Sequence, residues 1–174
     1  AQRPTRGRRI PGSHLPRGLF GSLSHRGGGR RGLERTGCGR ALAVDPQKGY
    51  LVKQVKPGVF VISDGVYQSA FVTTDKGVIL FDAPPSFAAH IIKAVAEVTS
   101  EPIVQLVYSH VHVDHIGGAD LILKQFPKLQ IVAEEGTAAI LREKRDPHRP
   151  LPTRTFKDHQ TLKLGSMTVD LKRG

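Results

Sequence analysis

Tryptophan is absent from the 174 residues, and there is one cysteine and one methionine. A single thiol, Cys38, cannot close an internal disulfide, which excludes a small cystine-stapled scaffold. Aromatic residues make up only 6% of the chain. No apolar run approaches the roughly 20 residues a membrane-spanning helix needs, so no membrane partner is expected. A clean secretory signal is missing as well, because Gly, Pro and Arg interrupt every apolar stretch of the basic N-terminus. Arg8-Arg9 and Arg30-Arg31 resemble twin-arginine pairs, but neither is followed by a clean apolar segment. An Arg-rich organelle transit peptide fits the composition; the default expectation is a cytoplasmic protein.

Acidic charge is scarce at one end only. The formal net charge is +11, and residues 1–48 carry 11 Lys/Arg against 2 Asp/Glu, a net of +9. Residues 49–174 carry 15 against 13, a net of +2. The basicity therefore belongs to the N-terminal stretch. Residues 1–40 are rich in Gly, Arg, Pro and Ser, with Gly27-Gly28-Gly29 at their middle. Such a composition buries too little apolar area to offset the entropy of ordering, so residues 1–48 are expected to be a disordered basic tail. Nucleic acid is a conceivable partner for it, although Phe20 is the only aromatic available for stacking on bases in residues 1–40. Residues 49–174 are expected to form one domain.

What is abundant is donor chemistry at residues 110–115, His-Val-His-Val-Asp-His, followed by Ile116-Gly117-Gly118. The cluster closes an apolar run, Ile103–Tyr108, that is short, β-branched and bounded by Pro102, the pattern of a buried strand. A strand ending in such residues places them at the carboxyl edge of a sheet, where α/β folds keep their sites. Imidazole and carboxylate suit zinc and similar divalent metals. His110 and His112 are two apart and lean the same way in extended backbone, so they could share a metal. A turn beginning near Asp114 can carry Asp114 and His115 toward a second position. The expected design is two ions about 3.5–4 Å apart, bridged by hydroxide. Gly117 and Gly118 are expected to allow a tight turn and close backbone approach.

The pattern around this stretch predicts an α+β or α/β domain. Strands are expected at 59–62, 70–74 and 78–82 as an antiparallel meander. Ser86 is a plausible N-cap for a helix over 87–99, with Phe87, Ile91, Val95 and Val98 inward. A helix between strands 78–82 and 103–109 makes those two parallel. A helix over 119–126 with Leu121, Ile122 and Phe126 inward, a strand 129–133 and a helix 135–144 follow. Residues 145–156 read as a loop, and 161–164 with 167–171 as a hairpin. Asp82, at the end of its strand, could accept the far N–H of a ligating histidine and fix its tautomer. His90, His148 and His159 read as ordinary histidines rather than ligands.

His-x-His-x-Asp-His between an apolar strand and Gly-Gly resembles the metal signature of the metallo-β-lactamase-fold hydrolases. Gly77–Asp82 is similar to that family's strand ending in an aspartate near the metal site. The resemblance covers about residues 50–174. It implies an αββα sandwich of which this chain would hold the first half, truncated at the C-terminus. It implies zinc, with His110 and His112 on one ion and Asp114 and His115 on the other, and Asp114 also orienting the attacking hydroxide or relaying a proton. It further implies a hydrolase of small-molecule esters, thioesters, lactones or lactams. Family members add a third histidine, often a bridging aspartate, and a last histidine beyond this region, so a lone half would be prone to self-association. The alternatives are a ribonuclease Z-like RNA-processing enzyme using the basic tail and an inactive metal-binding fragment.

Overall fold

The computed structural model describes residues 43–173. Most of the basic tail expected over 1–48 therefore lies outside the described residues, and so do Cys38 and Gly174. Nine strands and four helices follow one another among the described residues: β1 (Leu51–Lys56), β2 (Val59–Ser63), β3 (Gln68–Thr74), β4 (Gly77–Phe81), α1 (Ala88–Ala96), β5 (Ile103–Val107), α2 (Val113–Ile116), α3 (Ala119–Gln125), β6 (Gln130–Glu134), α4 (Glu135–Lys144), β7 (Arg154–Phe156), β8 (His159–Leu164) and β9 (Met167–Lys172). No helix among them is long and apolar enough to cross a membrane.

Strands β1 to β7 form one sheet in chain order. The first four run antiparallel, and β4, β5, β6 and β7 run parallel. Strands β8 and β9 pair as a separate hairpin. The two faces of the large sheet are covered differently. Ile62, Phe71, Val78, Leu80, Leu106 and Ile131 point toward Phe87, Ile91, Ile116, Ile122 and Leu141 of the helical layer. Val72, Ile79, Val107 and Val132 point the other way, toward Leu162, with Met167, Val169 and Leu171 packed against them. The alternation along β3, β4 and β6 is the period-2 consequence of pleating.

Strand β5 breaks that alternation once. Val78 pairs with Ile103 and Ile79 with Gln105, which leaves Val104 as an extra residue. The bulge puts Ile103 and Leu106 on the same face and Val107 on the opposite one. A one-residue slip flips every later side chain, so this bulge sets the facing of everything β5 delivers. Gly77 sits beside it at φ +131, and a Cβ there would stand 2.7 Å from Val104 Cγ2.

Several element boundaries differ from the pattern-based expectation. The helix expected from Ser86 starts at Ala88 with Phe87 as its cap residue. The Ser86 hydroxyl donates instead to Asp64 Oδ2 at 2.7 Å. Leu121 faces solvent at 40% exposure while Ile122 is fully buried. Residues 154–156, expected within a loop, form edge strand β7, because pairing with Val132, Ala133 and Glu134 satisfies a backbone that has no hydrophobic period of its own. Strand β1 carries no clear signal because four of its six positions are exposed.

Candidate metal centre

Parallel strands β4 and β5 end side by side, and the backbone beyond them is stitched together. Asp82 N donates to Val107 O at 2.9 Å, Ala83 N to His115 O at 2.9 Å, and Gly118 N to Ala83 O at 2.9 Å. Asp82 stands at φ +60, the left-handed region that Asp tolerates better than most residues. This conformation turns the chain out of β4. Residues 113–116 form the four-residue helix α2, with His112 as its cap residue. His112 O accepts from His115 N at 3.2 Å and Ile116 N at 3.1 Å. Gly117 and Gly118 both have negative φ, so space rather than dihedral freedom requires them here. A Cβ on Gly117 would stand 2.5 Å from Val113 O, and one on Gly118 would overlap the Ala88 side chain.

The turn gathers three imidazoles. The ring centres of His110 and His112 are 4.7 Å apart, and those of His110 and His115 are 4.3 Å apart. Tyr67 meets His115 edge-on at 6.2 Å. Donor atoms of Asp82, His110 and His115 all lie within 4.8 Å of one another. Two ligands about 2.0–2.2 Å from a tetrahedral ion lie about 3.4 Å apart, so this nitrogen and oxygen set fits a divalent metal after a small inward closure. His112 and Asp114 are exposed and stand outside that threesome, although Asp114 Oδ2 is 3.9 Å from His115 Nε2. His90, His148 and His159 are also outside it. His90 packs on Tyr50 at 5.2 Å, His148 Nδ1 is 3.4 Å from Asp120 Oδ2, and His159 Nε2 is 3.6 Å from Asp170 Oδ1.

Asp82 is 7% exposed. Its Oδ1 accepts from Ser109 N at 2.8 Å and its Oδ2 from Ser109 Oγ at 2.5 Å. His115 Nδ1 is 3.6 Å from Oδ2, beyond a hydrogen bond. Burial pushes the Asp82 carboxyl above its ordinary value, opposed by the two bonds from Ser109 and the nearby His115 and His110. A bound cation would favour the ionised form. Ser109 Oγ is also 2.8 Å from His110 Nδ1. A hydroxyl has one proton. If it is given to an ionised Asp82, His110 Nδ1–H must donate to Ser109, leaving the Nε2 lone pair for a metal. Ser109 was not singled out from the sequence. Its signal was its place, a hydroxyl directly before the first histidine at a strand end. Arg149, whose Nη1 donates to Val111 O at 2.6 Å in the same turn, carries no such signal, lying among Pro and Arg.

The family model described as the metallo-beta-lactamase superfamily matches residues 63–171, more than half of the chain. A comparison with curated proteins finds no match. Among solved structures, the chain is similar to a B3 metallo-beta-lactamase with an active-site glutamic acid, at 22% identity and a TM-score of 0.57, covering 67% of this chain and 49% of that one. It is similar to a subclass B3 metallo-beta-lactamase of Bradyrhizobium japonicum, at 23% identity and a TM-score of 0.57, again covering 67% and 49%. A metallo-beta-lactamase from Pontibacter korlensis matches at 20% identity and a TM-score of 0.59, covering 70% of this chain and 59% of that one. The chain spans about half the length of these structures.

Proposed function

Because the chain belongs to the metallo-beta-lactamase superfamily, we propose that it serves a metal-dependent hydrolase acting on an ester, thioester, lactone or lactam. The observation that supports this most is the gathering of His110, His112 and His115 beside the buried Asp82 at the carboxyl edge of β4 and β5. Zinc, when bound, supplies Lewis acidity: it brings the pKa of a water to about 7 and polarises a substrate oxygen. His110 and His112 would hold one ion, and Asp114 and His115 a second. Asp82 is better suited to stand behind them than to bind. Both its oxygens are engaged by Ser109 and it is buried, whereas the side chains of His112 and Asp114 are exposed. Asp114, the exposed carboxylate of the turn, is assigned the catalytic role of orienting the attacking water and taking its proton.

Metal content after dialysis, followed by turnover of generic ester and β-lactam probes, tests the proposal. Stoichiometric zinc with hydrolysis lost in Asp114→Asn is the expected result. No retained metal and no hydrolysis would overturn it. Zinc uptake without turnover would mark a metal-binding unit that is not catalytic by itself. A second reading, an RNA-processing enzyme, draws on the net charge of +9 in residues 1–48. It expects RNA affinity and its salt dependence to fall when those residues are removed.

A further inference from the structure

Helix α2 has only four residues. A helix this short has no stability of its own, because nucleation costs more than its few bonds return. The turn that carries His110, His112 and His115 must therefore be held from outside. Part of that hold comes from segment 145–150, which carries no hydrophobic period.

Arg149 in this segment is 7% exposed. A guanidinium stays charged in proteins, so burying one is unfavourable unless its N–H groups find partners. Nε donates to Asp146 Oδ2 at 2.7 Å, and Nη1 donates to the carbonyl of Val111 at 2.6 Å. Val111 is the residue between His110 and His112. Asp146 is itself held, its Oδ1 accepting from His148 N at 2.9 Å and its carbonyl from Arg149 N at 3.1 Å. Tyr108 at the end of β5 donates its hydroxyl to Pro150 O at 3.0 Å, which anchors the far side of the segment. The next carbonyl along the turn, that of His112, starts α2 by accepting His115 N and Ile116 N.

We propose that Arg149, oriented by Asp146, is the positioning residue of the His110–His115 turn: it pins the Val111 peptide and so sets how His110 and His112 approach an ion, a consequence that rests on the metal reading above. The pairing with Asp146 matters for charge as well as geometry. A bare guanidinium behind a cation site would oppose the metal, and the carboxylate cancels it.

Three variants of the full chain test this. Arg149→Met keeps the stem and removes both bonds, Arg149→Lys keeps the charge without the fork, and Asp146→Asn removes the counter-charge. Lys48→Met, which removes the exposed pair with Glu97, is the control. Amide hydrogen exchange on metal-free protein reads the turn at His115, Ile116 and Gly117 and compares it with β2 and β3. Zinc affinity by chelator competition and the visible absorption of the cobalt form read the site. Thermal unfolding reports the fold. The expected result for Arg149→Met is faster exchange confined to the turn and roughly tenfold or more weaker zinc binding, the scale typical of partners behind a ligand. Arg149→Lys should recover part of both and shift the cobalt spectrum, and Lys48→Met should match the parent. Unchanged turn exchange and zinc affinity in a folded Arg149→Met chain would overturn the proposal. So would acceleration spread evenly over the sheet, which would mean a general structural role. If Arg149→Met does not fold, Arg149→Lys and Asp146→Asn decide by the same measurements. If the parent chain takes up no zinc, the metal reading fails, and exchange at the turn still decides whether Arg149 holds it.

Discussion

Strands β1 to β4 and strands β4 to β7 share one sheet but differ in direction. In the antiparallel part, successive strands end on opposite edges and tight connections such as Pro57-Gly58 and Asp75-Lys76 join them. In the parallel part every strand ends on the same edge, and each return passes through a helix. The donor side chains gather at that shared edge. Strand direction therefore decides where the chemistry can collect. Two aspartates make the same point. Asp64, in a turn of the antiparallel part, is pushed up by burial, but bonds from Tyr67 N, Ser86 Oγ and Val66 N outweigh this and hold it below its ordinary value. Asp82, at the parallel edge, also takes two bonds, yet deeper burial leaves it raised.

The comparison is broken most severely by removing a donor. His115→Ala should weaken zinc binding by more than ~100-fold, beyond the range for outer partners, with the unfolding transition nearly unchanged. Exposed Lys53→Ala in β1 should alter neither, and equal metal uptake by both variants would show that the parallel edge is not the site. The next effect lies on the other side of the contrast. Phe71 in β3 is fully buried, and Phe71→Ala should cost about 3–5 kcal/mol in urea unfolding. The molecules that remain folded should keep their zinc affinity; a loss in the folded fraction would mean that the two parts are coupled.

Gly118→Ala probes the join between turn and helix. Its Cβ would collide with the Ala88 side chain and lie 3.0 Å from Ala83 O. A cost of about 1–3 kcal/mol is expected for such overpacking, together with weaker zinc binding, because Gly118 N also bonds Ala83 O. Full retention of both would argue that α1 shifts freely.

The smallest effect is in the pH dependence of the metal-free chain. For Asp64 the unfolded state holds its proton more tightly. Its stabilisation is therefore complete above the ordinary carboxylate pKa and is lost as pH falls through its lowered folded value. For Asp82 the folded state holds the proton more tightly, so stability declines as pH rises from the ordinary carboxylate value through the raised one. Urea unfolding from pH 3 to 7 should show a shallower acid-side slope in Asp64→Asn, the remainder coming from other lowered carboxylates such as Asp120 and Asp146, and a weaker opposing decline in Asp82→Asn. Identical profiles for the two variants would remove the distinction drawn between these carboxylates.

The amino-acid order alone determined most of the elements and the place of the donor cluster. Alternation along 70–74 and 78–82, the apolar run at 103–108 and the stripe through Phe87, Ile91 and Val95 are local patterns, and a strand that runs into His-Val-His-Val-Asp-His can be read without knowing its neighbours. Only the folded chain decided what stands behind the histidines. Ser109 meets Asp82 across 27 positions and Arg149 meets Val111 across 38. Those meetings depend on strands β4 and β5 lying parallel and on the extra residue at Val104 that turns β5 over. Bonds of this kind are set by register and burial in three dimensions, and neither has a period that a linear sequence can display.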